Sequence, residues 1–339
     1  LRAVHAVAEG HAALGLLRYF LAFFVIWWAW MNFTWFASAY DNDDAIHRLL
    51  TMVIMAGSLM LAAGLEQFVD HFDIGVVVAG YVVMRLAMCL LWLRAAAHDQ
   101  ARRRTNIRYA AGIAIIQCYW TAIAVTGLAH ESYFLALVLG GFVLELAIPA
   151  YAERAAPTPW HRHHIIERYG LLIIIVLGET LLSSMLALQA AWSGHFDPRL
   201  VHIALSALII TFGMWWIYFA REEHLSSTEL RHALLWGYGH FFIFAAGAAV
   251  GAGFAVLTET VEGAAHISMR SAHFAITVPL SIYLAGLWVV RDRLVLSGPA
   301  RTVLPASALI LAIMPFALPS LEASAVILIA AIWIRAKLI

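Results

Sequence analysis

Charge is scarce in this sequence and cysteine is nearly absent. Only 12% of the 339 residues are Asp, Glu, Lys or Arg, and the two signs balance at 21 each. Neither a basic tail nor a glycine-rich phosphate loop offsets that neutrality, which excludes an extended nucleic-acid surface. The two cysteines, Cys89 and Cys118, fall inside apolar stretches; they read as buried free thiols and leave no material for a disulfide framework or a zinc motif. No CxxCH haem motif, HExxH zinc helix or GxSxG elbow occurs, so the usual signatures of an intramembrane enzyme are missing, and His240, Glu179 and Ser183 stand as isolated candidates. No catalytic set, metal site or cofactor is expected. The chain opens at Leu1 with no methionine, signal peptide or cleavage site, and the reading is that an N-terminal segment is missing.

What the sequence has instead is apolar length. Hydrophobic residues make up 63% of it, in recurrent stretches of roughly 20 residues, enough for a helix to cross a bilayer. The expected fold is all-α, a polytopic helical membrane protein with eleven spans in this chain: Leu14 to Phe36, Ile46 to Phe68, Ile74 to Arg94, Ile107 to Leu128, Tyr133 to Tyr151, His164 to Gln189, Leu200 to Phe219, Arg231 to Leu257, His273 to Val290, Thr302 to Pro319 and Glu322 to Ile339. Trp27, Trp28, Trp30 and Trp35 crowd the second half of the first span beyond what one interfacial belt needs, so core packing is expected of some of them. The acidic run Asp41 to Asp44 reads as the N-cap region of the second helix.

Arginine and lysine placement sets the orientation. Eleven alternating spans put Arg48, Arg94, Arg102 to Arg104, Arg221, Arg291 and Lys337 on one side and only Arg2, Arg18, Arg199 and Arg270 on the other, so the first side is cytoplasmic and the C-terminus lies there, with the plasma (inner) membrane as the location. An internal repeat also emerges. WWAWMNFTWFASAYDNDDAIHRLL resembles GMWWIYFAREEHLSSTELRHALL, and LLWLR ending at Arg94 matches GLWVVR ending at Arg291. Six spans separate the copies, so two parallel six-helix repeats are expected, with the first helix missing: residues 1–152 as the first repeat, 153–163 as a cytoplasmic linker and 164–339 as the second repeat.

Ionisable residues inside spans are functional candidates because burying them is costly. Arg85 lies within the third span, and Glu145 lies about two turns from the Pro149 and Arg154 end of the fifth, at similar depth. An ion pair between them is expected. Glu179 sits deep within the central span and is expected to face a bundle interior, a cavity or a partner. Its neighbour Gly178 would let another backbone approach and cradle the carboxylate. Glu167 is placed in the first turn of that helix, where the dipole favours a carboxylate. His240, about nine residues into its span, has two readings, a proton relay or a core histidine donating to a backbone carbonyl. His161, His163 and His164 invite a metal, but neighbouring histidines on a helix do not all point one way.

The combination of WWAWMNFTWF, the DNDD turn with its HRLL restart, and HIIERYGLLIIIVLGET resembles the bacterial low temperature requirement A family over most of the chain. In that family an additional helix with an acidic, aromatic ELFFD-like start precedes the tryptophan-rich span, and this sequence lacks it. The resemblance implies an integral membrane protein and a link to growth in the cold without supplying a defined biochemical activity. At the central helix the family pattern maps onto Glu167, Arg168, Gly170, Gly178 and Glu179.

Three function classes follow. A secondary transporter or permease for a small solute or ion, with proton coupling as one form, fits two parallel halves carrying sparse ionisable groups: Arg85, Glu145, Glu179 and His240. A membrane sensor or partner-binding scaffold, acting through the lipid bilayer, a partner or a homo-oligomer, is the second. An intramembrane enzyme is the least supported.

Overall fold

The computed structural model describes residues 12–130, 132–192, 198–221, 225 and 229–339. Arg2, one of the residues used for orientation, and the side chain of Ser183 lie outside the described part. Among the described residues all regular structure is helical. Eleven long helices follow the apolar stretches in order: α1 Ala12–Ala39, α2 Ala45–His71, α3 Gly75–His98, α4 Arg103–Thr126, α5 Phe134–Ala152, α6 Arg162–Trp192, α7 Pro198–Phe219, α8 Leu230–Val261, α9 Met269–Leu287, α10 Val303–Ala317 and α11 Leu321–Leu338. Among the described residues, nine of them (α1–α5 and α7–α10) are by length and composition apolar enough to cross a membrane. This is a multi-pass helical membrane protein.

Polar residues punctuate the chain where the apolar runs stop. Asp44 caps α2 by accepting from the His47 backbone N–H at 2.9 Å, satisfying one of the orphan donors of the first turn. Ser268 and Ser320 cap α9 and α11 in the same way, each at 3.1 Å. At the other end of α2, Phe72 takes a left-handed conformation (φ 55°) that a bulky residue rarely adopts, and its ring packs edge-on to Phe68 and Phe134. Gly127, with φ 75°, ends α4 at no such steric penalty.

The chain divides into two compact units. The first is Leu21–Ile165, the greater part of α1 with α2 to α5. Its helices α2 and α3 lie close because Gly57 and Gly80 face each other: a methyl placed on Gly57 would fall 2.8 Å from the Gly80 carbonyl oxygen. The tryptophans of α1 are largely core residues here, with Trp27, Trp28 and Trp35 all buried.

The second unit is Ile166–Ile339 together with α1 up to Phe20. Along α6 the residues Ile165, Tyr169, Ile173, Val176 and Thr180 are buried, a spacing of three to four that defines one face of a helix. Gly247 and Gly251 of α8 meet that face, and Thr180 Oγ1 reaches the Gly247 carbonyl at 3.5 Å. After Leu287, α9 runs into a π-helical turn, Trp288–Asp292, and a last α turn, Arg293–Val295.

Three expectations about this architecture are corrected. Helix α6 starts at Arg162, so Glu167 lies beyond the first turn and is exposed rather than acting as a cap; after Pro159 nothing in the chain prevents helix from beginning before His164. The cysteines are not buried. Cys118 is exposed and Cys89 partly so, because the apolar stretches that carry them turn one face away from the packed interior. Among the described residues nothing lies within 4 Å of where a side chain on Gly178 would begin, because close packing of α6 depends on the glycines of α8 instead.

Candidate functional site

The ion pair expected from matched depth is formed. In the first unit Arg85 of α3 places Nη2 2.8 Å from Glu145 Oε2 of α5, with side-chain exposures of 4% and 3%. Taking two charges out of water costs several kcal/mol each, and that is offset only where the remaining donors and lone pairs are also satisfied. Here they are supplied by tryptophans and an asparagine. Trp28 Nε1 donates to Glu145 Oε2 at 2.7 Å, and Trp120 Nε1 donates to Oε1 at 3.2 Å. Arg85 Nη1 donates to Asn32 Oδ1 at 3.1 Å, and the Asn32 amide donates back to the Trp28 carbonyl at 2.7 Å. The guanidinium also lies 5.4 Å from the centroid of the Tyr81 ring one turn away. Four helices, α1, α3, α4 and α5, thus converge on one carboxylate.

A small cavity of about 50 Å³ adjoins this network. Its walls are aromatic and aliphatic, among them Phe24, Trp28, Tyr81, Trp120 and Phe142, and Glu145 is the one carboxylate among them. The space is of the size of one or two water molecules. Chemically, the arrangement sets a carboxylate against an arginine and two indole N–H groups at the edge of a largely apolar pocket. Protonating it would remove the charge that holds Arg85, while the neutral carboxyl could still accept from the indoles.

The remaining candidates lie in the second unit. His240 of α8 is buried, and its Nδ1 lies 2.7 Å from the Trp236 carbonyl, which fixes Nδ1 as the protonated nitrogen. This is the core-histidine arrangement. Nε2 has no hydrogen-bond partner among the described residues and lies within a ring of aromatics, with Trp236 at 4.1 Å and Tyr169 at 5.0 Å between centroids. Glu179 is exposed rather than interior, on a face of α6 shared with Leu171, Ile175 and Leu182. A helix apolar on all sides gives no periodic signal for which face turns inward. Arg168 is half-buried, and Gly170 is buried with a Phe219 ring atom 3.2 Å from where a methyl would sit. His161, His163 and His164 are exposed, two of their rings lying 5.4 Å apart.

Two buried clusters escaped sequence reasoning. Glu153, at the end of α5, is 4% exposed and accepts from Tyr109 Oη (2.9 Å), Thr158 Oγ1 (2.6 Å), the Thr158 N–H (2.7 Å) and Trp35 Nε1 (3.3 Å). It ties the polar segment after α5 to α1 and α4. In the second unit, Asp292 receives both Arg291 and Arg335, all three side chains being 5% exposed or less. Both sets sit at span ends, where a solvated charge is the natural reading of sequence alone. Among the described residues, no group of three or more His, Cys, Asp or Glu gathers in a way that could hold a metal ion.

Comparison with known proteins places this architecture. An uncharacterized protein of Rhizobium meliloti (strain 1021) is 25% identical over 237 residues, an overlap that takes in 65% of this chain and 56% of that protein's length. No solved structure matches. The family model described as bacterial low temperature requirement A protein matches residues 2–337, nearly the whole sequence, and on that match the chain belongs to the bacterial low temperature requirement A family.

Proposed function

We propose that this protein is a secondary transporter or permease for a small solute or ion, in which the Arg85–Glu145 pair is the element that answers to the proton or solute. The observation that carries this reading is a buried ion pair whose carboxylate also borders an apolar cavity, among four helices of one unit. Stability alone gives a poor reason for such a pair, since well-packed apolar residues would serve at least as well. A carboxylate that exchanges Arg85 for a proton would loosen α3 from α5, the kind of two-state local change that alternating access needs. The expected parallel repeats, and the excess of arginine on one side, give the framework; on that framework the C-terminus and the arginine-rich loops face the cytoplasm of the plasma membrane. A role in growth at low temperature enters through the family's name.

The test is flux in proteoliposomes holding a pH-sensitive dye, with an imposed pH gradient and a panel of ions and small metabolites. Wild-type protein is expected to move protons with at least one solute, and Glu145→Gln to lose the proton component. Wild-type vesicles no leakier than empty ones across the panel would overturn the reading.

A second reading, a partner-binding membrane scaffold, draws on one observation. Glu179 is an exposed carboxylate on an otherwise apolar face of α6, and polar groups on such faces associate helices within a bilayer. Cross-linking through a cysteine placed at Leu182 would reveal an assembly on that face, whether with a second copy or another protein, and a Glu179→Leu change would abolish it.

A further inference from the structure

Among the described residues of the second unit, two buried guanidiniums stand against one buried carboxylate. Asp292 takes Arg291 Nε at 2.7 Å and Arg335 Nη2 at 2.9 Å, so two guanidiniums share one carboxylate. Arg291 has a second occupation, since its Nη1 donates to the last carbonyls of α7, Ile217 and Tyr218, both at 3.0 Å, where the helix dipole is negative. Arg335 has no such outlet. Its Nε is buried without a partner among the described residues, and so is Nη2 of Arg291. Unpaired guanidinium donors inside a protein are rare, because each forfeits hydration with nothing in return.

Arg335 also lines a cavity of about 380 Å³, and on the same wall stands Arg221, half-buried, just past the end of α7. The rest of the lining is apolar or aromatic: Trp215, Trp216, Phe219 and Ile332. Trp215 and Trp216 are 44% and 57% exposed, so the cavity continues onto an aromatic surface at the end of the helices. Two arginines over an indole-rich wall match an oxyanion joined to an apolar body. Arg291 and Asp292 both lie in the π-helical turn Trp288–Asp292, and such turns recur at functional positions. On the orientation expected from arginine placement this end is cytoplasmic, the side where anionic lipid headgroups concentrate.

We propose that Arg221 and Arg335 form a binding site for a phosphate-class oxyanion, the phosphate of an anionic phospholipid whose acyl chain lies along Trp215 and Trp216. The site is separate from the Arg85–Glu145 network and stands or falls independently of the transport reading.

The test uses the purified full chain in detergent. Thermal stability is followed as phosphatidylglycerol or, in a parallel series, phosphatidylcholine is added, and in a third arm inorganic phosphate is supplied alone. The variants are Arg221→Gln, chosen because Arg221 makes no buried pair among the described residues, and Arg104→Gln as a basic-surface control in the other unit. Phosphatidylglycerol is expected to raise the transition temperature where phosphatidylcholine does not, Arg104→Gln to keep that response, and Arg221→Gln to weaken lipid binding about fivefold, the effect of one cationic contact. Stabilisation by inorganic phosphate that Arg221→Gln also weakens would support the oxyanion site while reassigning its source to a soluble ligand. Equal responses of wild type and Arg221→Gln to every additive, or no response to any, would overturn the proposal.

Discussion

Trp28 and Glu145 are joined by a 2.7 Å hydrogen bond although 117 residues separate them in the chain. The indole N–H points at the same carboxylate oxygen that receives Arg85, while Trp120 takes the other oxygen. The tryptophan-rich segment of α1 is therefore explained by chemistry as well as by packing. An indole is the largest apolar side chain that still brings a hydrogen-bond donor, and it can line a membrane-protein core while helping to hold a buried charge. Trp35 repeats the arrangement with Glu153.

Removing one member of the Arg85–Glu145 pair should cost more than removing both. Glu145→Gln leaves Arg85 charged in a site where its exposure is 4%, and Arg85→Met leaves the carboxylate with two indoles alone. Each single change is expected to destabilise the protein by about 3–5 kcal/mol. In the double variant Arg85→Met/Glu145→Leu no charge remains buried, and much of that loss should be recovered. A double-mutant cycle on thermal or denaturant unfolding decides the matter: additive losses would mean that the two groups do not act as a pair.

This pair was legible in the sequence because membrane depth is a one-dimensional quantity that can be counted along each span. Arg85 and Glu145 were matched that way, and the N-cap at Asp44 followed from residue type at a helix start. Rotation about the helix axis was not legible. In α6 every position from Leu171 to Leu177 is apolar, so no periodicity distinguishes the buried Ile173 from the exposed Ile175 or shows on which face Glu179 lies. Glu153 and Asp292 were missed for a different reason. Near a span end a charge reads as solvated unless tertiary packing is known to close over it, and that packing comes from Thr158 in one case and from Arg335, 43 residues away, in the other.

Glu153 should behave as a structural clasp. Its four donors come from Trp35, Tyr109 and both the hydroxyl and the backbone N–H of Thr158, so Glu153→Ala strands a buried backbone donor along with three side-chain donors. The expected loss is about 3 kcal/mol, set by those unsatisfied groups rather than by any charge pairing. Trypsin cleavage at Arg154 or Arg162 should quicken in parallel, because the segment between them loses the Glu153 contacts and keeps its attachments through Arg102, Thr105 and Ser38. Unchanged cleavage rates would show that the segment is held by other contacts.

The Asp44 carboxyl should make stability depend on pH in acid. It is held down to about 2 from its ordinary 3.8, first by hydrogen bonding from the Arg94 guanidinium and then by the His47 backbone N–H that it caps. A carboxyl depressed by folding contributes fully above its unfolded value and loses that contribution as pH falls through its folded one. The stabilisation is thus complete above about pH 4 and drains away toward pH 2. Asp44→Asn retains an oxygen for the cap but not the charge, and should flatten that part of a plot of transition temperature against pH. An identical acid limb in both proteins would assign the dependence to another group.

Two glycines one turn or less from Thr180's level should respond in opposite ways to a side chain. On α8, a methyl at Gly251 would lie 3.0 Å from Thr180 Cα and 3.4 Å from its backbone nitrogen, so the obstacle is main chain and cannot rotate aside. Gly251→Val must separate α6 from α8, lengthening the 3.5 Å contact between Thr180 Oγ1 and the Gly247 carbonyl and opening a gap along Val176. Overpacking of this kind costs about 1–3 kcal/mol even where side chains can yield, and the rigid backbone here argues for the upper end. On α6 itself, Gly178 has nothing within 4 Å among the described residues, so Gly178→Ala adds no clash with them and replaces glycine by the best helix former, a gain of up to about 1 kcal/mol in a helix interior. Parallel unfolding curves should therefore move apart, Gly251→Val downward and Gly178→Ala level or upward. If Gly178→Ala were instead the damaging change, the open space beside it would have to be occupied in the membrane, and the face of α6 that carries Glu179 would become the place to look for what fills it.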